Sequence, residues 1–344
     1  MGGFCGVISR EDCVTDLFFG IDYHSHLGTH RGGMAVLEPG GKFLRAIHNI
    51  QNAPFRTKFE QDFAHFRGHA GLGVISDTDP QPLVMESHLG VFALVTVGLV
   101  ANMEALKNEL FENRHAQLQY STTSGALGQT ELVSAIIASQ DTIVDGLRRV
   151  QAAVEGSLSL LLVTADGTFY AMRDRYGRTP VVLGRRDGAM IAVQESCALA
   201  NLGYEHLRDL GPGEVVVMTP DGARTVVEPG DTMAICSFLW VYYGYPSSSY
   251  EGISVESMRY NCGRALARRD NVHPDIVAGV PDSGITPAMG FSRESGLPLQ
   301  TGFVKNRYIA RTFIEPREEE REKALRIKLN ALASTVRGKR VIVV

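Results

Sequence analysis

The sequence predicts two successive domains, an α+β unit followed by an α/β unit built on a parallel sheet. Three observations predict them. Before residue 230, three Asp-Gly pairs each separate two strand-like runs, the mark of antiparallel hairpins. Two segments with apolar residues at helical spacing precede that sheet. After Pro229-Gly230 the pattern changes to strand–helix–strand, which implies parallel pairing. At 344 residues the chain is long enough to give each domain its own core.

The elements follow in chain order. Phe4-Cys5-Gly6-Val7-Ile8 is an apolar run suited to a buried first strand. Asn102 to Asn113 and Thr130 to Ala138 carry the helical spacing. The antiparallel sheet spans about 157 to 227, with turns at Asp166-Gly167, Asp187-Gly188 and Asp221-Gly222, because Asp-Gly supplies the positive φ that tight hairpins need. Ser254 to Asp270 reads as a helix with Met258, Cys262 and Leu266 on one face. Asp275 to Val280 is a short apolar strand, Thr286 to Glu294 a helix, and Leu299 to Val304 the next strand. Pro316 to Leu332 is a charged amphipathic helix whose pairs Glu319–Lys323 and Glu322–Arg326 have favourable i,i+4 spacing. Arg340 to Val344 is a strand with nothing after it.

Composition narrows the function classes. A net charge of −4 gives no reason to expect nucleic acid or a membrane as partner. The five cysteines are scattered, odd in number and without a C-x-x-C, which fits a reduced, cytoplasmic chain. Arg10, Glu11 and Asp12 arrive before any long apolar stretch, so no signal peptide is expected. No apolar run approaches membrane-spanning length.

Four places hold residues suited to chemistry. Cys5 is either a core residue of the first strand or an N-terminal nucleophile freed by removal of residues 1–4, a possible propeptide. An α-amine titrates at roughly pH 8, so it can take up a thiol proton in the cell. Pro281-Asp282-Ser283-Gly284 follows a strand and opens a helix, which suits either an anion site or an ordinary helix cap. Lys305-Asn306-Arg307-Tyr308-Ile309-Ala310-Arg311 gathers three cations after a strand, either a polyphosphate site or a basic loop. His24, His26 and His30 lack a second cysteine or carboxylate at zinc spacing, so no metal site is expected there, and Arg31 beside them is a cation suited to a carboxylate or an ion pair.

Taken together, these stretches resemble the amidophosphoribosyltransferases along nearly the whole chain. The resemblance rests on Cys5-Gly6-Val7, His30-Arg31-Gly32, Arg173 to Gly188, Leu207 to Met218, Gly279 to Gly284 and Gly302 to Pro316, followed by RIKLNAL and GKRVIVV. It implies a four-layer αββα sandwich of the N-terminal nucleophile type at 5–230, a glutaminase domain. An incomplete α/β parallel-sheet phosphoribosyltransferase domain follows at 231–344. It also implies a transferase reaction that opens purine biosynthesis. A cysteine thiolate releases ammonia from glutamine, and the ammonia displaces pyrophosphate from phosphoribosylpyrophosphate (PRPP) to give phosphoribosylamine. By the same resemblance Cys5 is the nucleophile, and Arg31 and Gly98 lie on the glutamine side. Asp282, Ser283 and Gly284 form the pyrophosphate loop. Lys305, Arg307, Tyr308 and Arg311 belong to the segment that closes over PRPP and excludes water. Magnesium is implied with PRPP, and a homo-oligomer as the assembly. An iron–sulfur cluster is not expected, since Cys236, a ligand position in some relatives, reads as a core cysteine.

The chain departs from the family's pattern at several points. Ser76, in Gly73-Val74-Ile75-Ser76-Asp77, stands where the family has an Arg that binds glutamine. Val97, in Thr96-Val97-Gly98-Leu99, replaces the Asn of the oxyanion hole, and one such donor is typically worth about 100–1,000-fold in rate. Gly128-Gln129-Thr130-Glu131 replaces a Ser-Asp-Ser-Glu whose Asp binds the glutamine amine. The family's acidic PRPP loop has no counterpart before Val344, so a truncated domain without PRPP turnover is expected. The alternative implied is a paralogue with a degenerate glutaminase site, ammonia-dependent or a scaffold. A third reading is an N-terminal nucleophile hydrolase acting on another amide, which an apolar pocket near Val97 and Leu99 would support.

Overall fold

The computed structural model describes residues 2–112, 118, 127–306 and 318–344. It divides into two compact units, Met1–Cys236 and Ser237–Val344.

In the first unit the strands are β1 (Gly2–Ser9), β2 (Arg31–Leu37), β3 (Phe43–Asn49), β4 (Ala70–Ser76), β5 (Leu83–Ser87), β6 (Gly90–Val100) and β7 (Gly156–Thr164). They continue as β8 (Phe169–Met172), β9 (Val182–Arg186), β10 (Ala189–Val193), β11 (Glu205–Asp209), β12 (Val215–Thr219) and β13 (Gly222–Val227). The helices are α1 (Val14–Asp22), α2 (Phe55–His65), α3 (Met103–Glu112), α4 (Gln129–Ala138), α5 (Ile143–Ala153) and α6 (Cys197–Leu202). Two antiparallel sheets result, ordered β11-β9-β10-β1-β4-β2-β3 and β13-β12-β8-β7-β6-β5.

Period-two alternation on the strands decides what each face buries. On β1, Phe4 and Ile8 enter the core between the sheets, with Leu161, Val163 and Val216 from the other sheet. Cys5 and Val7 face the opposite way, into a core shared with Val14, Leu17 and Ile21 of α1 and Phe55 and Phe59 of α2. The far side of the second sheet packs on α3, α4 and α5 through Leu106, Leu132, Ile136 and Leu147. Three cores between four layers make the αββα sandwich that the resemblance implies. Each fully buried Leu, Ile or Phe contributes about 1.5–3 kcal/mol, so the strand alternation fixes which side of β1 every residue takes.

The three hairpins form as expected, with one difference in detail. Gly167 and Gly188 have φ of 88° and 66°. Gly222 already pairs with Thr219, so the third loop is Pro220-Asp221, where proline presets a negative φ.

The second unit contains a short hairpin of β14 (Ser249–Tyr250) and β15 (Ile253–Ser254), then α7 (Val255–Arg269), β16 (Ile276–Ala278), α8 (Ile285–Ser295), β17 (Phe303–Lys305), α9 (Glu318–Lys328), β18 (Leu329–Ala331), α10 (Ala333–Val336) and β19 (Val341–Val343). β16 and β19 pair in parallel, the arrangement expected of this region. Val277, Ala288 and Phe291 form its core.

Three expectations for this unit are corrected. The face of α7 carrying Cys262 and Leu266 is exposed, and Val255, Arg259 and Gly263 are buried instead. Gly263 touches α8 directly, since a Cβ there would fall 1.8 Å from the Pro287 carbonyl oxygen, and the Arg259 guanidinium donates to the carbonyls of Trp240 and Gly244. The strand expected over Leu299–Val304 is a single parallel bridge from Leu299 to Val277 followed by β17. The charged helix stops at Lys328, because Leu329–Ala331 pairs along β17. Among the described residues, no helix is long and apolar enough to cross a membrane.

Candidate functional site

Two places gather the residues singled out above, one in each unit. In the first, the end of β1 meets the ends of β4 and β6 around a cavity of about 10 Å³, room for about one water. Gly2, Ser76, Thr78, Val97, Gly98 and Gln129 line it. Gly98 has φ 144°, and a Cβ there would fall 1.8 Å from the Ser157 carbonyl oxygen, so only glycine fits.

The polar groups around this cavity bond to one another. Asp79 accepts from the Thr130 amide at 2.8 Å and from its hydroxyl at 3.0 Å. Thr130 Oγ1 lies 2.7 Å from Thr96 Oγ1. Gln81 holds the Thr96 backbone at both ends, accepting from its N–H at 2.7 Å and donating to its carbonyl at 3.1 Å. Gln129 donates to the Gly98 carbonyl at 3.3 Å. Arg31, on β2, donates to the Thr78 carbonyl at 2.9 Å.

Cys5 is not among these groups. It lies inside β1 between Val193 of β10 and Gly73 of β4, with no exposed surface. Its side chain points to α1, where a Cβ on Gly20 would stand 2.3 Å from Cys5 Sγ. Burial pushes the thiol well above its ordinary range, helped by the negative charge of Asp16 and by Cys13. Of the expected glutamine-side residues, Gly98 lines the cavity, Arg31 reaches its rim through Thr78, and Cys5 occupies the core on the other face of the strand. Gly2, Asp79 and Gln81 were not singled out from the sequence, in which Asp79 and Gln81 carry no site signal, whereas Thr130 lies in the stretch that replaces the family's Ser-Asp-Ser-Glu. The signal for Gly2 was the alternation of β1 itself, which puts Gly2 and Phe4 on one side and Cys5 and Val7 on the other. Among the described residues Val97 lines this cavity, whereas Leu99 is 65% exposed and does not.

Of the three histidines, only His24 is buried at the start of β1, and His26 and His30 are half-buried. His24 is fully buried, its Nδ1 donating to the Gly20 carbonyl at 2.7 Å and its Nε2 accepting from the Glu195 amide at 3.1 Å. Those partners fix the neutral tautomer, and burial lowers its pKa to about 4 against the opposing charge of Glu195. His26 Nε2 lies 3.0 Å from the buried Glu195 carboxylate. Among the described residues, no three His, Cys, Asp or Glu side chains are grouped to hold a metal ion.

The second place is a cavity of about 400 Å³ beyond the carboxyl end of β16, the position where open parallel sheets bind ligands. Asp282 and Lys305 both line it and meet in an ion pair, joined by Gly279, Ile285, Thr301 and Phe303 in its wall. Ser283 and Gly284 run directly into the N-terminus of the eleven-residue α8. Arg307, Tyr308 and Arg311 lie outside the described residues. Cys236 is exposed rather than part of a core, because the chain around it, from Asp231 to Phe238, packs little against either sheet.

Comparison with known proteins converges on one family. A glutamine amidotransferase domain family matches residues 69–201. An amidophosphoribosyltransferase of Archaeoglobus fulgidus is 37% identical over 99% of this chain and 76% of its own length. That of Methanocaldococcus jannaschii is 32% identical over all of this chain and 77% of its own. In three dimensions the chain superposes on the glutamine PRPP amidotransferase of Bacillus subtilis, solved with ADP and GMP, with a TM-score of 0.86 at 28% identity, covering 99% of this chain and 74% of that one. With this identity carried through both units, the chain belongs to the amidophosphoribosyltransferase family.

Proposed function

We propose that this chain carries the family's reaction, amination of PRPP at C1 with release of pyrophosphate, contrary to the expectation of no PRPP turnover drawn from the missing acidic loop, because its likeness to the family runs through both units. The observation that carries the proposal is the cavity beyond β16, lined by the ion-paired Asp282 and Lys305. Its volume of about 400 Å³ falls in the range of small-molecule sites. In this reading the nitrogen lone pair of ammonia forms the C1–N bond while the C1–O bond to pyrophosphate breaks. Pyrophosphate leaves with the bonding pair, and the new ammonium group gives up a proton to solvent. Lys305 turns from Asp282 to the pyrophosphate oxygens, and the α8 N-terminus adds its partial positive charge.

A magnesium ion carried by the pyrophosphate fits this site. Such ions are held mainly by substrate phosphates and water, with one or two carboxylates from the protein, and Asp282 would supply one. Bound there, the ion would neutralise charge on the leaving group. By the resemblance, Arg307, Tyr308 and Arg311, which lie outside the described residues, continue the same basic segment towards PRPP.

The test is pyrophosphate release from PRPP by the protein at mildly alkaline pH with an ammonium salt. Release above the protein-free rate, reduced at least tenfold in Lys305→Ala, is the expected result. No release with either ammonium or glutamine removes the proposal.

A further inference from the structure

We infer that the nitrogen donor of this protein is free ammonia and that its glutaminase-like cavity is sealed to glutamine. The inference rests on the reaction just proposed, and it names that reaction's second substrate. Three independent observations converge on it.

The first is position. Ser76, Val97 and Gly98, equated by resemblance with the family's glutamine-recognition and oxyanion residues, do come together around one cavity. The residue of β1 that borders this cavity is Gly2, which has no side chain to attack an amide. Cys5 lies three residues further along the strand, about 10 Å away at the usual rise per residue, and on the opposite face. A nucleophile must come within about 3–3.5 Å of the carbon it attacks. Rotating the Cys5 side chain cannot supply that, because its sulfur is lodged against α1 at Gly20.

The second is space. The cavity has a volume of about 10 Å³, enough for about one water and not for a carboxamide on its carbon chain. A Cβ on Gly2 would stand 2.5 Å from the Ile75 carbonyl oxygen, so the strand end is closed against β4 as well.

The third is hydrogen bonding. An amide binding here needs groups able to receive it, and the polar groups around the cavity are engaged with each other. Asp79 is held by Thr130, Thr130 by Thr96, Gln81 by the Thr96 backbone, and Gln129 by Gly98. Val97 adds only methyl groups where a donor to an oxyanion is required. Opening this network for glutamine would leave buried polar groups unpaired, at about 1–3 kcal/mol each.

The experiment follows two products separately with PRPP and magnesium present. Pyrophosphate reports the transfer, and glutamate reports the use of glutamine. With an ammonium salt, pyrophosphate is expected. With glutamine alone, glutamate is expected at the protein-free rate and pyrophosphate at less than 1% of the ammonium rate. In parallel, the protein is incubated with a diazoketone analogue of glutamine and its intact mass measured, with no adduct expected. Glutamate release above the blank, or an adduct on Cys5, overturns the sealed cavity whatever the pyrophosphate result. Pyrophosphate from neither donor overturns the ammonia assignment together with the reaction it rests on, and leaves the glutamate and adduct readouts to decide the cavity.

Discussion

The sulfur of Cys5 rests on the bare Cα of Gly20, so close that a Cβ there would be 2.3 Å away. This contact joins β1 to α1 and gives the cysteine a packing role. Both residues sit in the core between the first sheet and its helices, with Leu17 and Ile21. The contact predicts non-additive stability. Gly20→Ala in the otherwise unchanged protein should destabilise it by about 1–3 kcal/mol through overpacking. Cys5→Ala alone should cost about 1–2 kcal/mol for the lost buried sulfur. In the double variant the overpacking is relieved, and the helix gains the roughly 1 kcal/mol by which Ala exceeds Gly. Denaturant unfolding of the four proteins should therefore show a coupling of at least about 1 kcal/mol. Simple additivity would remove the packing role.

His24 predicts the acid response. Its pKa in the folded protein lies at about 4, below the ordinary 6.5, so as pH falls the unfolded chain takes up the proton first. The stability this group contributes is complete above 6.5 and is lost as pH falls from there towards 4. By about pH 5 the loss should be roughly 2 kcal/mol. His24→Gln keeps a donor for the Gly20 carbonyl and an acceptor for the Glu195 amide but does not titrate. Urea unfolding at about pH 7.5 and pH 5 should show a flatter dependence for the variant. An identical dependence would mean that His24 takes up its proton at the same pH in the folded and the unfolded chain.

Much of the fold was legible in the sequence, and the reasons are local. Asp166-Gly167 and Asp187-Gly188 announce their hairpins because the turn itself requires a positive φ that glycine supplies. The α4 segment is legible because Leu132, Val133, Ile136 and Ile137 are all apolar and all buried. α7 was legible as a helix but not in its orientation. Its buried face is made of Arg259, which caps the carbonyls of Trp240 and Gly244, and Gly263, which lets α8 come close, and neither is hydrophobic. The candidate site was half legible. Ser76, Val97 and Gly98 were located through the resemblance, whereas the role of Cys5 depends on which face of β1 the residue takes. A one-residue change of face exchanges the cavity for the helical core, and only the full set of strand partners decides it.

Gly98 is predicted to be indispensable for a reason unrelated to catalysis. Its φ of 144° and the approach of the Ser157 carbonyl leave no place for a Cβ. Gly98→Ala should lower stability by more than about 2 kcal/mol or abolish folding, as seen by thermal unfolding and soluble yield. Val97→Ala, beside it, should cost only about 1–3 kcal/mol for the buried methyl groups it removes and should fold. A stable Gly98→Ala protein would show that the β6 backbone has room to relax. The retention of glycine here thus reflects the β6–β7 pairing and says nothing about a working oxyanion hole.

The Asp282–Lys305 pair separates binding from stability. Lys305 is partly covered and Asp282 is 72% exposed, so the pair is a solvated one and contributes at most about 1 kcal/mol to folding. Lys305→Ala and Asp282→Asn should therefore unfold within about 1 kcal/mol of the parent. Their effects on ligand should differ in sign. Losing Lys305 removes a cation from the cavity and should weaken pyrophosphate binding by about tenfold or more, the scale of one charge-assisted hydrogen bond. Asp282→Asn in the absence of magnesium removes a negative charge facing the same ligand and frees Lys305 for it, so pyrophosphate should bind more tightly. With magnesium present the order should reverse, because Asp282 then has an ion to hold. Calorimetric titration with pyrophosphate, with and without magnesium, measures all four values. If Asp282→Asn weakens binding equally in both conditions, the carboxylate acts by shaping the loop and not through its charge.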